Sequence, residues 1–202
     1  MDEIILVGAG GHAIACIDVI ELSGRYNIAG LVDKPGLIIN EHLGYSVIGS
    51  DEDLPNLRKK YEYALVTVGQ IKSPLVRVRL FQLLLELGYK LPVISSPISH
   101  ISKHSQVGSG SIIMHDVIIN ANARIGTNCI INNKALIEHD TIVGNDCHIA
   151  PGAIINGQVS IGNKSFIGSG SIIKQSISIG NNCVIGAGTT VKTDIKSGNL
   201  IK

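Results

Sequence analysis

Residues 131–149 read INNKALIEHDTIVGNDCHI, and an aliphatic residue returns at every sixth place: Ile131, Ile137, Val143 and Ile149. Stepping by six in both directions extends the series from Ile101 to Val191, sixteen isoleucines or valines without a break. Neither the 3.6-residue period of a helix nor the 2-residue period of a strand produces this. Four residues after each comes a small or β-branched residue in most coils, among them Ser111, Ala123, Cys129, Ala135, Thr141 and Cys147. Gly108, Gly126, Gly144, Gly162 and Gly180 recur every 18 residues, so three hexads make one turn. Such fixed-period self-similarity indicates a solenoid whose coil has three short faces. Successive coils then stack as parallel strands, with isoleucine ladders inside and glycine at a tight corner once per coil. About five coils at roughly 4.8 Å each predict a triangular prism about 25 Å long.

Outward from this stretch, towards the amino end, the composition changes near residue 90. Six of the seven aromatic residues lie before that point, and only Phe166 lies after it. Here short apolar runs alternate with helical stretches. The pattern predicts strands at Ile4–Val7, Asn27–Val32 and Ala64–Val68, helices at His12–Ser23 and Pro74–Leu87, and a last strand at Leu91–Ile94. Ser50 to Asp53 has the form of a capping box ahead of a short helix. Strands alternating with helices predict a parallel α/β sheet.

Lysine plus arginine number 17 against 16 aspartates and glutamates, a net charge of +1. That balance argues against a nucleic-acid surface, which usually carries a clear basic excess. No apolar run reaches the roughly 18 residues of a membrane span, and the acidic start Met1-Asp2-Glu3 is unlike a basic signal peptide, so a cytoplasmic protein without membrane insertion is expected. The four cysteines form no CxxC pair. Cys129, Cys147 and Cys183 fall in one small-residue column, as interior fillers would, and are expected to be reduced.

Two places carry chemistry. The turn Gly8-Ala9-Gly10-Gly11-His12 follows a strand and opens a helix, where free N–H groups and the helix dipole favour a phosphate. Asp33 ends the next strand, where a carboxylate could accept from a ribose or base. NAD is the usual ligand of such a turn, and a merely glycine-permitted bend is the plainer reading. In the prism, His139 stands two places after Ile137 and so points outward, between Glu138 and Asp140. A histidine beside a carboxylate can have its tautomer fixed and its basicity raised, as a general base requires, although a solvated polar residue would look the same.

The unbroken hexad with its Ile-Gly and Val-Gly corners resembles the left-handed β-helix acyltransferases. With Gly8-Ala-Gly-Gly-His-Ala13 ahead of it, the whole chain resembles the sugar acyltransferase family of bacterial nucleotide-4-amino-sugar N-acetyltransferases and sialic-acid O-acetyltransferases. That resemblance implies an α/β plus β-solenoid fold: a small Rossmann-like nucleotide-sugar-binding domain over 1–95, followed by a left-handed parallel β-helix acetyltransferase domain over 96–202. It implies acetyl-CoA as co-substrate, no metal, and a homotrimer with the coenzyme groove between adjacent prisms. Gly10, Gly11, His12, Asp33, Lys34 and Gly69 would then hold the nucleotide-sugar. In the coil that is similar to the family's catalytic one, His139 would be the base, Asp140 its supporting acid and Asn132 a contact to the acceptor sugar. His148 would lie near the acetyl-CoA thioester, Gly157 near the oxyanion, and Ser169 and Ala187 along the coenzyme. The family often carries a Gly-x-Pro-Ala-like segment after the last coil, where this chain ends in Ile201-Lys202. The outward residues Ile112, Ile118, Ile130, Ile142, Ile154 and Ile172 are expected to supply part of the trimer contact.

The expected activity is acetyl transfer to the amino group of a nucleotide-linked sugar. Its alternatives are O-acetylation of a sialic acid on the same fold and a non-catalytic trimeric scaffold. The γ-class carbonic anhydrases use a similar prism to hold zinc with a pair of histidines five residues apart, and no such pair occurs among His100, His104, His115, His139 and His148.

Overall fold

The computed structural model describes residues 1–34, 41–71 and 73–202. Strands β1 (Asp2–Val7), β2 (Tyr26–Val32), β3 (Glu41–His42), β4 (Tyr45–Gly49) and β5 (Tyr63–Val66) form one sheet in the order β3-β4-β2-β1-β5. All neighbours are parallel except β3, which runs antiparallel along β4 at the edge. Central β1 needs apolar residues on both faces, and Ile4 to Val7 are all fully buried. Helix α1 (Gly11–Ser23) ends at Gly24, whose left-handed φ of +58° lets its N–H reach back to the carbonyls of Ile20 and Glu21. The capping box at Ser50 and Asp53 is present and leads into the single turn α2 (Leu54–Leu57). Helix α3 (Leu75–Glu86) closes the other face of the sheet with Leu80, Phe81 and Leu84, while Leu75 and Leu85 stay exposed. No helix among the described residues is long and apolar enough to cross a membrane.

The second half is a left-handed parallel β-helix. Its two-residue strands stack in register at 18-residue steps into faces of seven, six and five strands. The hexad residues, from Ile113 to Val191, and the small-residue column of Cys129, Cys147 and Cys183 pack into one continuous interior. Each isoleucine fully buried there stabilises the stack by about 1.5–3 kcal/mol.

Four details differ from the expected plan. First, the Gly108–Gly180 column is not where the chain turns. The left-handed corners fall at Gly110, Asp116, Asn122, Asn128, Lys134, Asp140 and Asp146, again every sixth residue, with φ between 50° and 70°. The glycine column exists because coils touch there: a Cβ on Gly126 would lie 2.4 Å from Asn145 Oδ1 and 2.7 Å from the backbone of Gly144. Second, Ile94 and Ser95 pair with Ile112 and Ile113, so this strand opens the seven-stranded face of the prism rather than closing the α/β sheet. The prism is therefore nearer six coils than five along that face. Third, the last turn is two residues short, because Leu200 and Ile201 pair with Val184 and Ile185 at a step of 16. Fourth, Ile112 and Ile130 point outward from the coil yet are fully buried, since Cys16, Ile17 and Ile20 of α1 pack in the same apolar cluster against them. They hold the two halves of one chain together. Ile118, Ile142 and Ile172 remain exposed and Ile154 is half-buried.

Candidate active site

At the carboxyl end of the α/β sheet, a cleft of about 600 Å3 is lined by Gly8, Gly10, Gly11, His12, Asp33, Lys34 and Gly69. The six residues expected to hold a nucleotide-sugar thus meet in one place. Gly8 is required by its φ of +114° and because a Cβ would lie 2.5 Å from Val68 Cγ2. Gly10 and Gly11 have a different use, since a Cβ on either would meet nothing within 4 Å among the described residues. They leave the backbone open to an approaching group. Helix α1 has neither a side-chain cap nor an acidic residue in its first turn, so its leading N–H groups and positive dipole end face the cleft uncompensated. Asp33 accepts from the Ala9 N–H and the Lys34 N–H, which ties its carboxylate to the turn. The His12 ring points inward, and burial, then Arg77 and His148, push its pKa down to about 3. A neutral imidazole, rather than a cation, therefore stands beneath the turn.

The second constellation lies on the edge of the prism that follows the six-stranded face. Asp140 occupies a left-handed corner with φ 59°, a conformation that aspartate tolerates better than most residues. The corner folds its carboxylate back on its neighbour, and His139 Nδ1 donates to Asp140 Oδ2 at 2.7 Å. One coil below, Asn122 donates from Nδ2 to Asp140 Oδ1 at 2.6 Å. These two donors, His139 first, hold the Asp140 carboxyl below its ordinary pKa. The Glu138 carboxylate accepts instead from Asn120, so of the two flanking acids only Asp140 touches the imidazole. With Nδ1 committed to Asp140, the free lone pair of His139 is on Nε2. That atom sits above Gly157, where a Cβ would lie only 2.8 Å away. About half of the His139 side chain is exposed.

His148 is placed elsewhere, on the seven-stranded face, and is buried beneath the α/β domain. Its Nδ1 donates to the Gln70 carbonyl at 2.5 Å, and its Nε2 accepts from Asn132 Nδ2 at 3.2 Å. Phe166 packs edge-on against the ring at 5.2 Å. Burial is the main cause that pushes its pKa down to about 4, with the nearby Arg77 cation acting in the same direction. Exposed Ser169 and Ala187 stand, like Asn132, at the edge that follows the seven-stranded face. One chain therefore divides the expected acetyl-transfer residues between two edges: His139, Asp140 and Gly157 on one, Asn132, Ser169 and Ala187 on the other. Asn122, Gln70 and Arg77 were not anticipated. Asn122 could have been found by counting 18 residues back from Asp140. Among the described residues no group of three or more His, Cys, Asp or Glu is placed to hold a metal ion.

Residues 3–84 match the family model described as the PglD N-terminal domain. Residues 122–157 match the bacterial transferase hexapeptide of six repeats, and residues 158–192 the hexapeptide repeat of succinyl-transferase. No curated protein sequence matches the chain. Among solved structures, PerB from Caulobacter crescentus in complex with CoA and GDP-perosamine is 30% identical, with a TM-score of 0.92 over 99% of this chain and 93% of that one. The acetyltransferase domain of PglB from Neisseria gonorrhoeae, in complex with acetyl coenzyme A, is 28% identical, with a TM-score of 0.91 over 98% of this chain and 94% of that one. WeeI from Acinetobacter baumannii, 23% identical, has the same fold with a TM-score of 0.88 over 100% and 97% of the two chains.

Proposed function

Because the chain belongs to the left-handed β-helix sugar acyltransferases, we propose that it transfers acetyl from acetyl-CoA to the amino group of a nucleotide-linked amino sugar. The observation that carries this reading is the outward His139–Asp140 pair, whose 2.7 Å contact leaves Nε2 as the acceptor over Gly157. His139 Nε2 takes a proton from the acceptor amine while the nitrogen attacks the thioester carbonyl, forming the C–N bond. Asp140 stabilises the imidazolium. As the C–S bond breaks, that proton passes to the departing thiolate, leaving an amide and the free CoA thiol. Backbone donors near Gly157 hold the oxyanion. The cleft at Gly10 and Asp33 carries the nucleotide, Asn132 contacts the sugar, and Ser169 and Ala187 lie along the coenzyme.

Solved relatives support an amine acceptor: PerB is a GDP-perosamine N-acetyltransferase, and variants of it with one histidine replaced by asparagine or alanine hold CoA and GDP-perosamine. Steady-state assays of CoA thiol release, with GDP- and UDP-linked 4-amino sugars and with sialic acid as acceptors, test the reading. Transfer to the nucleotide-linked amine alone is expected, and transfer to the sialic-acid hydroxyl would replace this function with O-acetylation. This reading puts the enzyme in the cytoplasm.

The division of the site between two edges supports a homotrimer in which one prism's His139 edge meets its neighbour's coenzyme edge. Exposed Ile118 and Ile172 stand in register on the six-stranded face and supply part of the contact. A double variant, Ile118→Lys with Ile172→Lys, should run as an inactive monomer in light scattering. A monomeric parent protein with full activity would exclude the shared site.

A further inference from the structure

Among the described residues, four buried side-chain atoms have no hydrogen-bond partner: His12 Nε2, Gln70 Oε1, Arg77 Nη2 and Asn128 Oδ1. All four belong to one seam, where the α/β domain meets the prism. Arg77, on α3, is only 1% exposed and is the largest fully buried side chain among the described residues. Its guanidinium donates to three backbone carbonyls: Nη1 to Val66 at 2.7 Å and Val68 at 3.1 Å, Nε to Asn128 at 3.2 Å. The first two are at the end of β5, whereas the third is a left-handed corner of the prism. A second tie runs beside it, from Gln70 Nε2 to the Asp146 carbonyl at 3.0 Å.

This is an expensive way to join two domains. Burial lowers the Arg77 pKa to about 10, so the group is still a cation at neutral pH, and among the described residues no carboxylate pairs with it directly. Unsatisfied buried donors and acceptors cost stability, and an apolar seam of equal volume would hold at least as well. What apolar packing does not supply is register. A planar guanidinium meeting three carbonyls fixes the strand end against the coil in one geometry. The strand end matters because Val68 and Gly69 form one wall of the cleft.

We propose that Arg77 is a positioning residue for the cleft, its guanidinium setting the wall at Val68 and Gly69 against the prism corner at Asn128. The inference rests on the cleft being the nucleotide-sugar site, and it accounts for the cation. The nucleotide belongs to one domain and the base to a prism, so the amine reaches Nε2 only if the two are held in register, since misplacement by about 1 Å can cost 10²-fold in rate.

The test compares the parent protein with Arg77→Met and Arg77→Lys. Three properties are read: thermal unfolding, hydrogen exchange at the amides of residues 67–71 against those of β1, and calorimetric affinity for GDP, UDP and CoA. Arg77→Met should keep or raise the unfolding temperature, speed exchange at 67–71 about tenfold, and weaken nucleoside diphosphate binding about tenfold, with CoA within twofold. Arg77→Lys should not rescue it, because an ammonium cannot span the three carbonyls. Should Arg77→Met not fold, Gln70→Ala removes the second tie and is expected to give the same pattern at about threefold. Faster exchange everywhere with a lower unfolding temperature would reduce Arg77 to a plain structural role and overturn the proposal, as would unchanged exchange at 67–71. A parent protein that binds neither GDP nor UDP would sink the cleft assignment and with it the proposal, even if the exchange contrast showed Arg77 fixing that wall.

Discussion

In the prism a residue's place in the hexad decides its surroundings, whereas in the α/β domain the surroundings depend on which elements pack together. His139 is exposed because it stands two places after an inward isoleucine, and Asp140 turns back on it because every sixth residue is a left-handed corner. No hexad position marks Arg77. Its burial follows from the meeting of α3, β5 and a distant coil corner. The solenoid therefore sets its side chains on a rigid, periodic frame, and the α/β domain carries a cleft lined by residues far apart in sequence.

The largest expected effect attacks the periodic half at the proposed general base. His139→Ala should fold and assemble normally, because the side chain is outward and half-exposed. Its kcat should fall at least about 10²-fold with the KM for acetyl-CoA little changed, and Asp140→Asn should fall less. Retention of more than half the activity in steady-state assays would remove His139 as the base.

The seam between the halves gives the next effect. The folded His148 pKa of about 4 lies below its ordinary value of 6.5, so the unfolded chain takes up the proton first as pH falls. Stability should thus be fully present above about pH 6.5 and decline towards pH 4, by about 3 kcal/mol from this group. His12, pushed down to about 3, acts in the same direction. Denaturant titrations across this range should show the decline, and His148→Gln should make it shallower, leaving the part due to His12. A parent protein equally stable at pH 7 and pH 4.5 would mean that the folded protein does not hold these rings below their ordinary pKa.

Two glycine substitutions separate the halves directly. Gly144→Ala places a Cβ 2.5 Å from Asn163 Oδ1 and 2.8 Å from the Asn163 backbone nitrogen, in a stack that cannot yield locally, and should cost about 1–3 kcal/mol. Gly10→Leu meets open space among the described residues, at an ordinary φ of −81°, and should change stability by less than about 0.5 kcal/mol. It should instead raise the KM for the nucleotide-sugar while leaving that for acetyl-CoA alone. Equal loss of affinity for both ligands would mean that the cleft does not belong to the acceptor.

Much of this was legible in the residues. The sixteen-step aliphatic series is unambiguous because no helix or strand has its period, and the strand, glycine turn and helix at residues 4–23 locate the cleft. Arg77 was legible in principle: Arg77, Leu80, Phe81 and Leu84 lie at i, i+3, i+4 and i+7, which puts the arginine on the buried stripe of α3. Reading the helix by its apolar residues alone passes over the one charge in their midst. His148 shows the opposite failure. Its hexad position puts it outward, and the periodic reading leaves it at the surface, but α1 and the loop at Gln70 cover that face.

Local rules written in the residues govern the period, the inward ladders, the glycine turn after β1 and the outward placement of His139. Packing between distant segments sets which outward positions are covered, gives the glycine column its use in coil contact rather than turning, and puts the candidate acetyl-transfer residues on two edges. Repeat position fixes a side chain's direction relative to its own coil. What stands in that direction is set by chain from far away in sequence, and no periodicity encodes it.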